Sequence, residues 1–186
     1  GLMKGHEIRL ALSAARQGAW QEAREIAQKD GTVAADIIEW QRLRAGKGTF
    51  ADYRVFLDRN ADWPGLKLLR KKGEAAIPDS SAPSHVITYF ARQKPQTGQG
   101  VLRYVDALTI NGDPAKAKTE LIRAWTSMEL SAGSEASLLA KHGATLKPHH
   151  STRLDFLLFE KNRQRKRTDH NQNRDRSQGP NDFNWC

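Results

Sequence analysis

Six histidines, one cysteine, 21 carboxylates and 30 cationic side chains are what this 186-residue chain offers for chemistry. Their spacing assembles little. His142, His149 and His150 invite a metal reading, but neighbours at i and i+1 do not share a helix face, and no acid or cysteine completes a ligand set. Roles at a helix start or facing solvent account for them. Ser, His and Asp are scattered without a nucleophile elbow. Gly98-Gln99-Gly100 lacks the phosphate-loop lysine and the preceding strand, so it reads as a turn and cap. No glutamate stands out as a general acid, so no catalytic residue, metal ligand or cofactor is assigned. Cys186, alone and last, closes no internal disulfide.

The cations carry the one partly functional signal. Arg42, Arg44, Lys47, Lys67, Arg70, Lys71 and Lys72 form the densest basic cluster before residue 160 and are the candidate binding residues for an acidic substrate or partner. The competing reading is a solvated helix face. Among the tryptophans, Trp20, Trp40 and Trp125 fall at core spacing in helices, which favours packing over sugar stacking. Trp63 precedes Pro64 as a staple-like contact at a helix start.

The elements that would hold these residues are helical. Glycines close the first helices at Gly18, Gly31 and Gly46, as expected of left-handed caps. The expected segments are Leu2–Gln17, Trp20–Lys29, Val33–Ala45, Phe50–Arg59 with Thr49 as N-cap and Asp52 at N3, and a helix from Pro64 to about Ala76. There follow a short helix capped by Ser84, then Gly98–Asn111 capped by Thr97, then 114–128, one capped by Ser134, and a last one opened by Pro148. Alternating strand patterns are missing. A faint internal repeat overlays Gly18 and Ala23 on Gly112 and Ala117. The fold class is therefore all-α, a tetratricopeptide-like helical-hairpin solenoid of about nine to ten helices.

The net charge is +9 with a pI near 9.9, a balance that favours polyanions. Hydrophobic residues are 38% of the chain, below the average of a globular domain, and the deficit is concentrated after Lys161. The expected organisation is a folded region over 1–160 and a polar basic tail over 161–186, expected to be disordered. The tail carries about +4 and the folded region about +5. No apolar run reaches the length of a membrane span, and the charged start, with Lys4, His6, Glu7 and Arg9, is not a signal peptide.

Several segments, in order, resemble the soluble lytic murein transglycosylase family. Phe56-Leu57-Asp58-Arg59-Asn60-Ala61-Asp62-Trp63-Pro64-Gly65, with Leu69-Arg70 and Glu74, is similar to "FL..NPDWPG...LR...E". Tyr89-Phe90 with Pro95, Thr97, Gly98 and Gly100 is similar to "YF....P.TG.G". Gly112, Ala117 and Trp125 resemble the next hairpin, and His150, Arg153, Leu154, Asp155, Leu157 and Leu158 the segment "H..RLD.LL". The resemblance spans about residues 5–160. It implies a right-handed α-superhelical, U-shaped domain that packs on a lysozyme-like domain. That catalytic domain cuts the β-1,4 bond between N-acetylmuramic acid and N-acetylglucosamine and forms a 1,6-anhydro product. Trp40, Phe56, Asn60, Trp63, Pro64, Phe90, Thr97, Gly98, Trp125 and Arg153 are then expected to be structural.

The resemblance stops at Lys161, so a frameshift or early end is one expectation. The family's Glu-Ser and Gly-Leu-Met-Gln are absent; Gly1-Leu2-Met3 runs into Lys4 with no upstream acid. The implied role is a non-catalytic scaffold in the periplasm, with activity in the parent enzyme. Its implied partners are peptidoglycan glycan strands and the missing catalytic domain. Without the resemblance, the same pattern reads as a helical-repeat adaptor for a protein partner. Nucleic acid on Arg163–Arg167 is the least favoured, because no aromatics are interleaved and no helix-turn-helix is in view.

Overall fold

A computed structural model of the chain describes residues 4–179. Among these residues there are ten α-helices, one 3-10 turn and no strand. The helices are α1 Lys4–Arg16, α2 Trp20–Gln28, α3 Thr32–Arg44, α4 Phe50–Arg59, α5 Leu66–Glu74, α6 Pro83–Arg92, α7 Gly98–Ile110, α8 Pro114–Ser127, α9 Ala132–Leu146 and, after Lys147–His149, α10 His150–Ser177. None is long and apolar enough to cross a membrane. The chain divides into two compact units after Ala117.

In the first unit, sequence neighbours pack as hairpins: α1 on α2, α2 on α3, α4 on α5, and α6 on α7. Helix α3 also packs on α1 and α5. The α1–α3 core is built from small residues, with Ala11, Ala14, Ala15, Ala23, Ala27, Ala34 and Ile38 buried, and Trp20 and Ile26 packed partly over them. Farther along, Leu43, Tyr53, Phe56, Leu57, Leu69 and Ile77 are buried, as are Val86, Tyr89, Phe90, Val101, Tyr104, Val105 and Leu108.

The faint repeat has a structural counterpart. Gly18 and Gly112 both take the left-handed conformation that a Cβ resists, with φ of 78° and 82°. One residue later, Ala19 N–H donates to the Ala14 carbonyl and Asp113 N–H to the Leu108 carbonyl, each at 2.9 Å. These are the six-to-one bonds that close a helix in a Schellman turn. The paired alanines, Ala23 and Ala117, are both buried. Lys47 N–H to the Arg42 carbonyl, at 3.1 Å, is a third instance, after α3.

The second unit holds most of α8 together with α9 and α10. Its buried apolar residues are few: Leu121, Ala124, Trp125, Leu138 and Leu146. Leu154, Leu158 and Phe159 are 51–65% exposed. Helix α10 runs on to Ser177, so the stretch expected to be disordered is helical over 161–177, although every side chain there is exposed. Residues 150–160 supply the nucleus, and adding Lys, Arg and Gln to an existing helix costs far less than starting one. The remaining tail, with Trp185 and Cys186, lies outside the described residues, as do Gly1, Leu2 and Met3.

Three expected helix starts move. Ser131, not Ser134, caps α9: its hydroxyl accepts from Ser134 N–H at 3.2 Å. Ala82 occupies the cap position of α6 and Pro83 its first turn, in place of Ser84. Pro64 lies in the turn before α5, and Gly65, left-handed at φ 73°, precedes Leu66.

Candidate functional site

Arg42 ends up inside the molecule. Its guanidinium forks onto Glu39, at 2.6 and 3.0 Å, and reaches Asp52 at 2.8 Å and the Lys47 carbonyl at 3.0 Å. Asp52 is also the far half of the capping box that starts α4, accepting from Thr49 N–H at 3.0 Å while Thr49 Oγ1 accepts from Asp52 N–H at 3.2 Å. The bonds to Glu39, with those to Asp52, raise the Arg42 pKa further despite burial. Burial alone would lift the Asp52 carboxyl, but Arg42 and Thr49 together hold it below its ordinary value. Arg42 thus joins α3 to α4, and its charge is spent inside the fold, not on a ligand.

The aromatic turn after α4 is half-buried at Asn60 and Trp63, which contact the protein's own residues. Asn60 closes the helix, its side-chain amide donating to the Phe56 carbonyl at 3.1 Å. Trp63 sets its edge against Phe56, with centroids 5.3 Å apart, and against Trp40 at 6.1 Å. Trp40 in turn carries the Arg44 guanidinium 4.7 Å from its ring centroid. Pro64 is exposed.

Among the described residues Glu74 is the most deeply buried acid, 1% exposed. Gln96 N–H donates to both its oxygens, at 3.0 and 2.9 Å, and Thr97 adds its N–H at 3.1 Å and its hydroxyl at 3.0 Å. The Thr97 oxygen also accepts from Gly100 N–H at 3.1 Å, which caps α7. A Cβ at Gly100 would overlap the carboxylate. Burial pushes the Glu74 pKa above its ordinary value, opposed by the Gln96 and Thr97 donors. A raised carboxyl is what general acid catalysis needs. This one has its oxygens engaged by backbone and hydroxyl donors and Gly100 pressed against it, so it clasps α5 to the start of α7.

Arg153 does the same in the second unit. Buried at 4% exposure, it donates to the carbonyls of Trp125 and Met128, at 2.9 and 3.1 Å, and to Glu135 at 3.2 Å. Its guanidinium lies 4.3 Å from the Trp125 centroid, and the indole N–H donates to His150 Nδ1 at 3.1 Å. Phe90 and Gly98 are buried.

Of the seven candidate binding cations, five remain on the surface: Arg44, Lys47, Lys67, Lys71 and Lys72. Arg70 is half-buried. It lies over Tyr89, whose hydroxyl donates to the Arg70 carbonyl at 2.6 Å, and burial lowers its pKa.

A concavity of the first unit involves other residues. A groove of about 310 Å³ is lined by Arg24 and Gln28 of α2, Asp36 and Glu39 of α3, and Val55 and Arg59 of α4. A second hollow of about 270 Å³ shares Gln28, Ala35, Asp36 and Arg59. Asp36 meets Arg59 at 3.3 Å, with 16% of the Asp36 side chain exposed and 57% of the Arg59 side chain. Sequence reasoning passed over these residues because it weighed cation density. The available signal was the i, i+4 pairing of Arg24 with Gln28 beside buried Ala23 and Ala27. No family model, curated protein or solved structure matches this chain.

Proposed function

We propose that this chain is the non-catalytic, superhelical scaffold portion of a peptidoglycan lytic transglycosylase, acting in the periplasm to position glycan strands for a catalytic domain outside it. The observation that carries the reading is the Glu74–Thr97–Gly100 clasp. It joins the end of one quoted segment, at Glu74, to the middle of the next, at Thr97 and Gly100. Helix-forming preferences alone give no reason for a glutamate at one position and a Thr-x-x-Gly 23 residues later to depend on each other. Asn60 and Trp63 in their turn, and Arg153 on Trp125, are further quoted residues with a specific internal task. The hairpin packing and recurring glycine closures suit a solenoid.

The scaffold role is tested by cosedimentation of the purified chain with sacculi. The expected result is saturable retention in the pellet with no release of soluble anhydro-muropeptides. A chain that stays in the supernatant at every sacculus concentration overturns the binding role.

A further inference from the structure

Arg70 leaves the exposed side of α5 for a hollow that the scaffold role does not use. This hollow, of about 110 Å³, is lined by Arg54 and Asp58 of α4, Arg70 of α5, and Thr88, Tyr89 and Arg92 of α6. Three guanidiniums thus meet one carboxylate. Like charges gathered in one place repel, and a fold ordinarily relieves them with acids. Here two of them are held by rings. Arg54 lies over Phe50, 5.6 Å from its centroid, and Arg70 over Tyr89 at 5.8 Å. The two rings are buried and packed edge to face at 5.2 Å, so both arginines rest on one aromatic floor. Tyr89 and Arg70 are further tied by the tyrosine hydroxyl, which donates to the Arg70 carbonyl at 2.6 Å. Arg92 is exposed and shares a face of α6 with Thr88, one turn earlier. Among the described residues, neither Asp58 nor any of the three arginines makes an ion pair. Burial holds the Arg70 pKa below its ordinary value, and the Arg92 charge pushes in the same direction, so these two cations act on each other.

Cations positioned without acids are suited to an anion from outside the chain. A carboxylate has two oxygens and one charge, and a single guanidinium satisfies it with two parallel bonds. Three guanidiniums and one carboxylate leave two positive charges around a space for one compact group, which matches a tetrahedral dianion. Asp58 discriminates among dianions. Sulfate has no proton to give, so a carboxylate beside it only repels. Hydrogen phosphate carries one O–H that can donate to Asp58, while its other oxygens accept from the arginines and the Thr88 hydroxyl. We infer that this hollow binds a phosphate group, with Arg54, Arg70 and Arg92 holding its oxygens and Asp58 accepting from its hydroxyl or, in an ester, from a hydroxyl beside it. The inference does not rest on the cell-wall reading, and retention on sacculi bears on that reading alone.

The test is titration of the full ¹⁵N-labelled chain with inorganic phosphate, sulfate and glycerol phosphate in turn, with chloride adjusted to keep ionic strength constant so that general screening does not change. The expected result is saturable amide shifts confined to α4, α5 and α6 at millimolar phosphate, with sulfate binding about tenfold more weakly. Arg54→Gln and Arg92→Gln should each weaken phosphate binding by about tenfold, and Asp58→Asn should remove the preference over sulfate. Lys67→Gln, an exposed cation of α5 outside the hollow, should change nothing. Arg92 is exposed and unpaired, so R92Q keeps the test valid if R54Q disturbs the packing on Phe50. Glycerol phosphate binding more tightly than inorganic phosphate identifies an ester as the form bound, and weaker binding identifies the free ion. No saturation, shifts spread over the exposed lysines, phosphate binding indifferent to R92Q, or sulfate bound as well as phosphate overturns the assignment.

Discussion

Arg42 and Glu74 show how one residue type can look functional and be structural. Each brings a charge out of water, which is tolerable only with several good partners. Arg42→Met leaves Glu39 and Asp52 facing each other without their cation. The expected loss is about 2–3 kcal/mol, below the full cost of breaking a buried pair because Asp52 stays over a third exposed; it is read as a lower urea midpoint. Glu74→Gln turns an amide towards the donors of Gln96 and Thr97 and should cost about 1–3 kcal/mol by the same measurement. The two acids also tilt stability in opposite directions with pH. Asp52 is held below 3.8, so its contribution is complete above that pH and is lost as pH falls through its folded value. Glu74 is held above 4.5, so the folded chain takes up its proton before the unfolded chain does, and stability declines as pH rises from 4.5 through the folded value. Urea midpoints across the acid range should therefore flatten below pH 3.8 in Asp52→Asn and above pH 4.5 in Glu74→Gln. A Glu74→Gln curve parallel to the unsubstituted one would show that burial does not control that carboxyl.

Helices depend on how they begin and on what covers them, and the sequence reveals the first more readily. Thr49-x-x-Asp52, Thr97-x-x-Gly100 and the closing glycines act through bonds within four or five residues, so local spacing was enough to find them. Thr97→Val removes the cap and a Glu74 donor together and should cost about 1–2 kcal/mol, with Thr97→Ser restoring most of it. Equal thermal stability of the two variants would count against a hydroxyl role. The long-range partners were not legible: Glu74 meets Thr97, and Arg153 meets Trp125, across 23 and 28 residues. Nothing in either helix face announces the other. The family resemblance marked Thr97, Trp125 and Arg153 as structural without saying what they touch. Helix α10 fails in the opposite sense, because low hydrophobicity predicted coil where an existing helix propagates. Among the described residues, its distal part is tied to the rest of its unit by Gln164, which donates to Glu129 at 3.1 Å. Hydrogen exchange should protect amides up to about residue 164 and leave 165–177 close to unprotected at 25 °C. Uniform protection to Ser177 would mean that something covers this helix.

Over the whole molecule, charge is the property that composition made plain, and the structure changes where it acts. Two of the seven clustered cations are withdrawn, Arg42 into its acid pair and Arg70 against Tyr89, whereas Lys67, Lys71 and Lys72 stay exposed along α5. A surface of that kind attracts carboxylate-bearing polymer through the solvent, and salt weakens it. The screening length shrinks from about 10 Å at 0.1 M to about 3 Å at 1 M. Retention on sacculi should therefore fall steeply between those concentrations. Replacing the three lysines together by glutamine should reduce retention at 0.1 M and make no difference at 1 M, where little long-range attraction remains. Exposed substitutions of this type usually stay within about 0.5 kcal/mol in stability, so the thermal midpoint should hold and a lost fold is not confused with lost attraction. If the lysine variant and the unsubstituted chain are retained alike at 0.1 M, the exposed lysines of α5 are not what holds this chain on sacculi.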